Sequence, residues 1–199
     1  MRRRKPGQSP PRAAEAKAVR IIAGRLRGRR LEAPTGDATR PTSDRARQAL
    51  FDMLMHAPWA EGRLRDAHVL DVFAGTGALG LEALSRGAAR ATFMENNRPA
   101  LAVLRVNIAA CKAEDLCRVI AADVRKPPRG TPARFVFLDP PYGQALVPTA
   151  VASLTAAGWI APDALIIAEI GAEDALPTEA PLLADRNFGA GRICIWTLS

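Results

Sequence analysis

Thiols and imidazoles are scarce in this 199-residue chain, which holds three cysteines and two histidines. Cys111, Cys117 and Cys194 form no short-spaced pair. That pattern fits neither a disulfide framework nor a zinc site and leaves buried free thiols as the expectation. His56 and His68 are too isolated for a metal centre, and His68 opens an apolar run in which a packed imidazole is expected. Long apolar runs are also missing, so no segment reads as a membrane span. The basic start Met1–Lys5 is followed by no apolar stretch before Val19. This argues against a secretory signal and makes the cytoplasm the expected location. Negative charge is sparse at the front of the chain. Residues 1–47 hold 14 Lys or Arg against 4 Asp or Glu, whereas residues 48–199 hold 14 against 16. The net charge of +8 therefore originates in the N-terminal quarter. Such asymmetry suits a polyanionic partner, most simply nucleic acid, although a solubilising tail or attraction to a membrane surface gives the same composition.

Apolar residues make up 48% of the chain and charged residues 24%, the balance of a globular protein of about one domain. Three segments are expected: a disordered basic arm at 1–18, a basic ribbon and helix at 19–62, and a core at 63–199. Val19–Ala33 mixes apolar residues with Arg20, Arg25, Arg27, Arg29 and Arg30 and reads as a short twisted β-ribbon with one basic face. After a loop at 34–41, a helix starts near Ser43, with Thr42 or Ser43 as N-cap and Asp44 in its first turn. Ala46, Leu50, Met53 and Leu54 supply its buried stripe. Arg40, Arg45 and Arg47 cluster around its beginning.

From residue 68 onward, short apolar runs at 68–73, 90–95, 117–122, 134–139 and 164–170 alternate with helical stretches at 78–86, 98–112 and 144–157. This alternation implies an α/β fold, a parallel sheet with helices on both faces. Two further strands, near 182–187 and 192–198, suit a hairpin closing one edge of the sheet.

Asp71-Val72-Phe73-Ala74-Gly75-Thr76-Gly77-Ala78-Leu79-Gly80 runs off an expected strand into an expected helix. Glycines there let the backbone turn tightly and approach a nucleotide, with helix N–H groups facing the ligand. Glu95, 20 residues after Gly75 at the end of the next strand, is placed to accept hydrogen bonds from ribose hydroxyls. Dinucleotide oxidoreductases share the glycine pattern. A carboxylate from Asp71 at the mouth of the loop would repel a pyrophosphate and attract an ammonium such as that of a methionine moiety. Asp123, just past the third strand of this core, reads as a partner for an adenine amino group or as a turn residue.

The fourth strand ends in Asp139-Pro140-Pro141-Tyr142, at the carboxyl edge where open α/β sheets hold ligands. Two prolines fix the backbone and remove two N–H donors. The Asp139 carboxylate and the Pro140 carbonyl can together hold the two N–H bonds of an exocyclic amino group and stabilise the positive charge that develops on its nitrogen. Tyr142 can stack on the base and keep it in line.

Asp71–Gly80 resembles the cofactor motif of class I methyltransferases, and Asp139–Tyr142 resembles the catalytic motif of their amino-methylating subset. That pair leaves adenine in DNA, guanine in RNA and a protein glutamine as targets. Arg20–Gly24, Arg27-Gly28-Arg29, Arg40–Arg47 with Leu50-Phe51, and Phe73–Gly87 resemble the RsmD family across about residues 19–198. The resemblance implies a seven-stranded Rossmann-like sheet and methylation of a guanine N2 amino group in small-subunit (16S) ribosomal RNA, free or in the subunit. S-adenosylmethionine would lie over Asp71, Phe73, Ala74, Gly75, Thr76 and Gly77, with Glu95, Asn96, Asp123 and Val124 alongside. The arginines at 20, 25, 27, 29, 30, 40, 45 and 47 would face RNA. A monomer without metal is expected. Gln48 stands where this family usually has Glu, and Asn96-Asn97 where another acidic residue is common.

Three other readings differ in what they require. A DNA adenine-N6 methyltransferase would need a target-recognition region for which the chain has little room. A protein glutamine methyltransferase has no need of an arginine-rich ribbon. A non-catalytic RNA-binding assembly factor has no use for Asp71, Glu95 and Asp139 together.

Overall fold

A computed structural model describes residues 19–33, 43–141, 145–175 and 178–198. The expected arm at 1–18, Arg40, Thr42 and Tyr142 lie outside the described residues. The ribbon consists of β1 (Val19–Arg20) and β2 (Arg30–Leu31), paired antiparallel. Helix α1 (Asp44–His56) is capped by Ser43, whose side chain accepts from the Ala46 N–H, and carries Asp44 in its first turn.

The core strands are β3 (His68–Val72), β4 (Arg90–Glu95), β5 (Cys117–Ala121), β6 (Ala133–Leu138), β7 (Ile160–Gly171), β8 (Ala184–Phe188) and β9 (Gly191–Thr197). Helices α2 (Ala78–Ser85), α3 (Arg98–Ala110) and α4 (Leu146–Ala156) connect them. The seven strands lie in the order β5-β4-β3-β6-β7-β9-β8. The first five are parallel, and β9 runs antiparallel between β7 and β8. The C-terminal hairpin thus closes one edge, as expected. The opposite edge strand, β5, is only half-buried. An outermost strand has a neighbour on one side alone, which the apolar run at 117–122 does not reveal.

Side chains alternate across the sheet with period two, creating two apolar layers. Val69, Phe93, Phe135 and Phe137 pack with residues of the ribbon, α1, α2 and α3 on one face. Leu70, Val72, Val136 and Leu138 pack with Val147, Ala150 and Leu154 of α4 on the other. Leu79 to Ser85 of α2 are all buried, because this helix lies between the sheet and the ribbon. The three cysteines are free: Cys111 and Cys194 are buried and Cys117 is half-buried. Burial pushes the Cys117 thiol up to about 12. His68 is packed as expected, with its ring nitrogens bonded to the Pro132 carbonyl and the Thr92 hydroxyl. Burial lowers its pKa.

Candidate active site

The registers Val72↔Met94, Glu95↔Ala121 and Val72↔Leu138 align the carboxyl ends of β3, β4, β5 and β6. The glycine loop, Glu95, Asp123 and Asp139 each follow or end one of these strands, so the topology gathers them along one edge. A cavity of about 210 Å³ lies there. Val72, Phe73, Met94, Val124, Pro141 and Leu146 supply apolar wall, and Glu95, Asn96, Asp123 and Arg125 supply polar groups. That mixture fits a nucleoside, with a flat apolar base against the walls and hydroxyl or amino groups at the carboxylates.

The loop is shaped by backbone conformations and by its neighbours. Phe73, Gly75 and Gly77 all have positive φ. At Gly77 a Cβ would lie 2.4 Å from Leu104 Cδ1, and at Gly80 one would lie 2.4 Å from Phe93 Cε1. These two glycines let α2 approach β4 and α3. A Cβ on Gly75 would meet nothing nearer than the Phe73 carbonyl at 3.8 Å, so the outer surface of the loop stays open.

Asp71 departs from expectation. It is 2% exposed, and its Oδ2 accepts a 2.9 Å hydrogen bond from the Gly80 N–H. Strand alternation puts it with Val69 on the α2 face, so it braces the loop from beneath and does not stand open at the mouth. Burial is the main cause of its strongly raised pKa, reinforced by Asp139 and Glu95 and opposed by the Gly80 bond. The charge argument against a pyrophosphate therefore no longer holds for Asp71.

Glu95 is better placed. Its Oε2 accepts from Gly75 N–H, and its Oε1 accepts from the N–H groups of Asn96 and Asn97, each at 2.9 Å. Asn96 is exposed beside the cavity, and Asn97 caps α3 by accepting from the Ala100 N–H. Asp123 lines the cavity, and it closes a turn by accepting from the Arg125 N–H, the turn reading offered by the sequence. The Arg125 guanidinium, 2.5 Å from Asp123 Oδ2, holds that carboxyl down at about 2. Asp139 is half-buried, Pro140 buried and Pro141 exposed, directly after the buried end of β6.

Of the expected RNA contacts, Arg20, Arg25, Arg27, Arg29, Arg30 and Arg45 are exposed. Arg20 also pairs with Asp44 at 3.1 Å. Arg47, expected to face RNA, is instead 1% exposed and donates to the Arg20 carbonyl at 2.7 Å and to Asp44 at 2.9 Å. Residue 47 lies one position after buried Ala46 and three before Leu50, so the helical period turns it inward, where it joins α1 to the ribbon.

Glu82 was not singled out by sequence reasoning. It is 0% exposed, accepts from the N–H groups of Ile22 and Ala23, and binds Arg86 at 2.8 Å. Ser85 adds to this joint, its Oγ accepting from the Leu26 N–H. Gly24 has to pass so close to the Ser85 carbonyl that a Cβ would lie 1.9 Å from it. The signal available was a lone acid among the apolar residues of α2, four positions before an arginine.

The sheet order, the lone antiparallel strand and the motif at the end of β3 define a class I methyltransferase fold. A family described as "Conserved hypothetical protein 95" matches residues 19–197. Ribosomal RNA small subunit methyltransferase D of Escherichia coli is 43% identical over 162 residues, covering 80% of this chain and 78% of that protein. The protein of the same name from Haemophilus influenzae is 37% identical, covering 86% of this chain and 89% of its own. A solved structure described as the putative methyltransferase yhhF from Escherichia coli superposes with a TM-score of 0.77 at 39% identity, covering 90% of this chain and 97% of that one. The chain belongs to this family, the RsmD family, and is a methyltransferase.

Proposed function

We propose that the protein transfers a methyl group from S-adenosylmethionine to the exocyclic N2 amino group of a guanine in small-subunit (16S) ribosomal RNA. The observation that carries this reading is the side-by-side placement of two strand ends, with Val72 registered to Leu138 so that the glycine loop and Asp139-Pro140-Pro141 adjoin. The names of the relatives supply the substrate class. No described helix is long and apolar enough to cross a membrane, and the proposed site of action is the cytoplasm, on the RNA or the small subunit.

S-adenosylmethionine, when bound, supplies a sulfonium methyl group. Phe73, Ala74, Gly75, Thr76 and Gly77 hold it with Glu95, Asn96, Asp123 and Val124. Glu95 accepts from a ribose hydroxyl and Asp123 from the adenine amino group. Asp139 and the Pro140 carbonyl hold the two N–H bonds of the target amine, whose lone pair is otherwise delocalised into the ring, and aim it at the methyl. Pro141 lines the cavity, and Tyr142 is assigned to stack on the base. Residues 19–62 form the RNA-binding segment, and Arg20, Arg25, Arg27, Arg29, Arg30, Arg40 and Arg45 are assigned to phosphate contacts.

Transfer of labelled methyl from S-adenosylmethionine to unmodified 16S RNA, small subunits and DNA, followed by nucleoside analysis, tests the reading. Labelled N2-methylguanosine, absent with Asp139→Ala, is expected. Label in N6-methyladenine would overturn the target, and no label in any nucleic acid would overturn the substrate class.

A further inference from the structure

Asn107 lies on α3, 1% exposed, between the ribbon and the glycine loop. Its Oδ1 accepts from the Glu32 N–H at 2.7 Å, and its Nδ2 donates to the Glu32 carbonyl at 3.0 Å. The amide thus pairs with the Glu32 backbone much as a neighbouring strand would. Its second N–H donates to the Thr76 carbonyl at 2.9 Å, within the glycine loop. Both Glu32, just past the end of β2, and Thr76 are therefore fixed by a single side chain.

The demand is for one acceptor and two donors at the end of a short stem, and only asparagine meets it at this length. Aspartate would place an oxygen against two carbonyl oxygens. Leu104, one turn earlier on α3, contacts the same loop, since its Cδ1 would lie 2.4 Å from a Cβ at Gly77. The helix therefore supports the loop by shape at Gly77 and by hydrogen bonding at Thr76.

We infer that Asn107 is a positioning residue that locks the exit of the arginine ribbon to the cofactor loop, so that each is held in its binding geometry by the other. The inference rests on the proposed assignment of the loop to S-adenosylmethionine and of the ribbon to RNA. A ligand that stabilises the loop then stabilises the ribbon exit, and linkage makes the effect reciprocal: RNA on the ribbon tightens cofactor binding. Asn107 need touch neither ligand.

Hydrogen–deuterium exchange on the full chain tests this without any substitution. Saturating S-adenosylmethionine is expected to slow exchange at residues 74–80 and also at the Glu32 amide, by about tenfold. Asn107→Asp is expected to abolish the Glu32 response and to raise the Kd for S-adenosylmethionine about tenfold, the loss of roughly one buried hydrogen bond. KM rises for cofactor and RNA together, while kcat at saturation stays within about threefold. Ser85→Ala, which removes one of the ties between ribbon and α2 and none to the glycine loop, should weaken RNA binding and leave cofactor affinity unchanged. A Glu32 amide indifferent to bound cofactor would overturn the inference, as would folded Asn107→Asp with wild-type cofactor affinity. If S-adenosylmethionine failed to bind the wild-type chain, the cofactor assignment itself would fall, which is a separate and distinguishable result.

Discussion

Glu95 and Gly75 are joined by a 2.9 Å hydrogen bond, the carboxylate at the end of β4 accepting the backbone N–H of the loop that follows β3. With the amides of Asn96 and Asn97 also on this carboxylate, three N–H groups fix its orientation. A carboxylate has about four lone-pair positions, so capacity remains for a ribose hydroxyl. Glu95→Ala is expected to weaken S-adenosylmethionine binding about 10- to 100-fold, because charge-assisted bonds are lost and the loop is freed. Isothermal calorimetry checks this, and unchanged affinity would contradict the ribose assignment.

Asp139 directly follows β6, the strand beside β3, and is assigned to the target amine, not to the cofactor. Asp139→Ala should lower kcat by at least about 100-fold while cofactor affinity stays within about threefold of wild type. Single-turnover methyl transfer beside equilibrium binding separates the two effects. Lost cofactor binding would put Asp139 in a different role.

The arginines divide by burial. Replacing exposed Arg27, Arg29 and Arg30 by Ala should weaken RNA binding and reduce the slope of log affinity against log salt by roughly 2 to 3. Arg47→Ala should leave that slope unchanged and lower the unfolding midpoint, because buried Arg47 holds the Arg20 carbonyl and Asp44. Binding titrations at several salt concentrations, paired with thermal denaturation, distinguish these outcomes.

Asp71 makes stability depend on pH. Burial raises its folded pKa well above 3.8, so between those two values the folded chain holds a proton that the unfolded chain has released. Its contribution to stability is present at low pH and is lost as pH rises from the unfolded value through the raised folded one. Asp71→Asn keeps an acceptor for Gly80 and removes the titration. The variant should lose less stability than wild type as pH rises above the unfolded carboxylate value of about 4 in denaturant melts; parallel pH profiles would refute the assignment.

The order of elements was legible because local signals agreed. Strand β4 falls on the expected residues, and α2 and α3 begin where expected, because each follows a glycine turn or a capping residue. The carboxyl-edge motifs were legible for the same reason: Asp139 directly follows β6 and Glu95 ends β4, at the carboxyl edge where open α/β sheets hold ligands. Asp71 was misread because its position along β3 was visible but its face of the sheet was not.

By itself the sequence determined the alternation of strands and helices, the glycine loop, the Asp-Pro-Pro-Tyr terminus and the basic N-terminal quarter, all written in residues close together along the chain. Only the tertiary structure decided which polar side chains turn inward. Arg47, Glu82 and Asn107 bond partners that lie 27, 60 and 75 residues away. A buried polar group is tolerated where its partner waits, and that partner is set by how α1, α2 and α3 pack against the ribbon and the sheet.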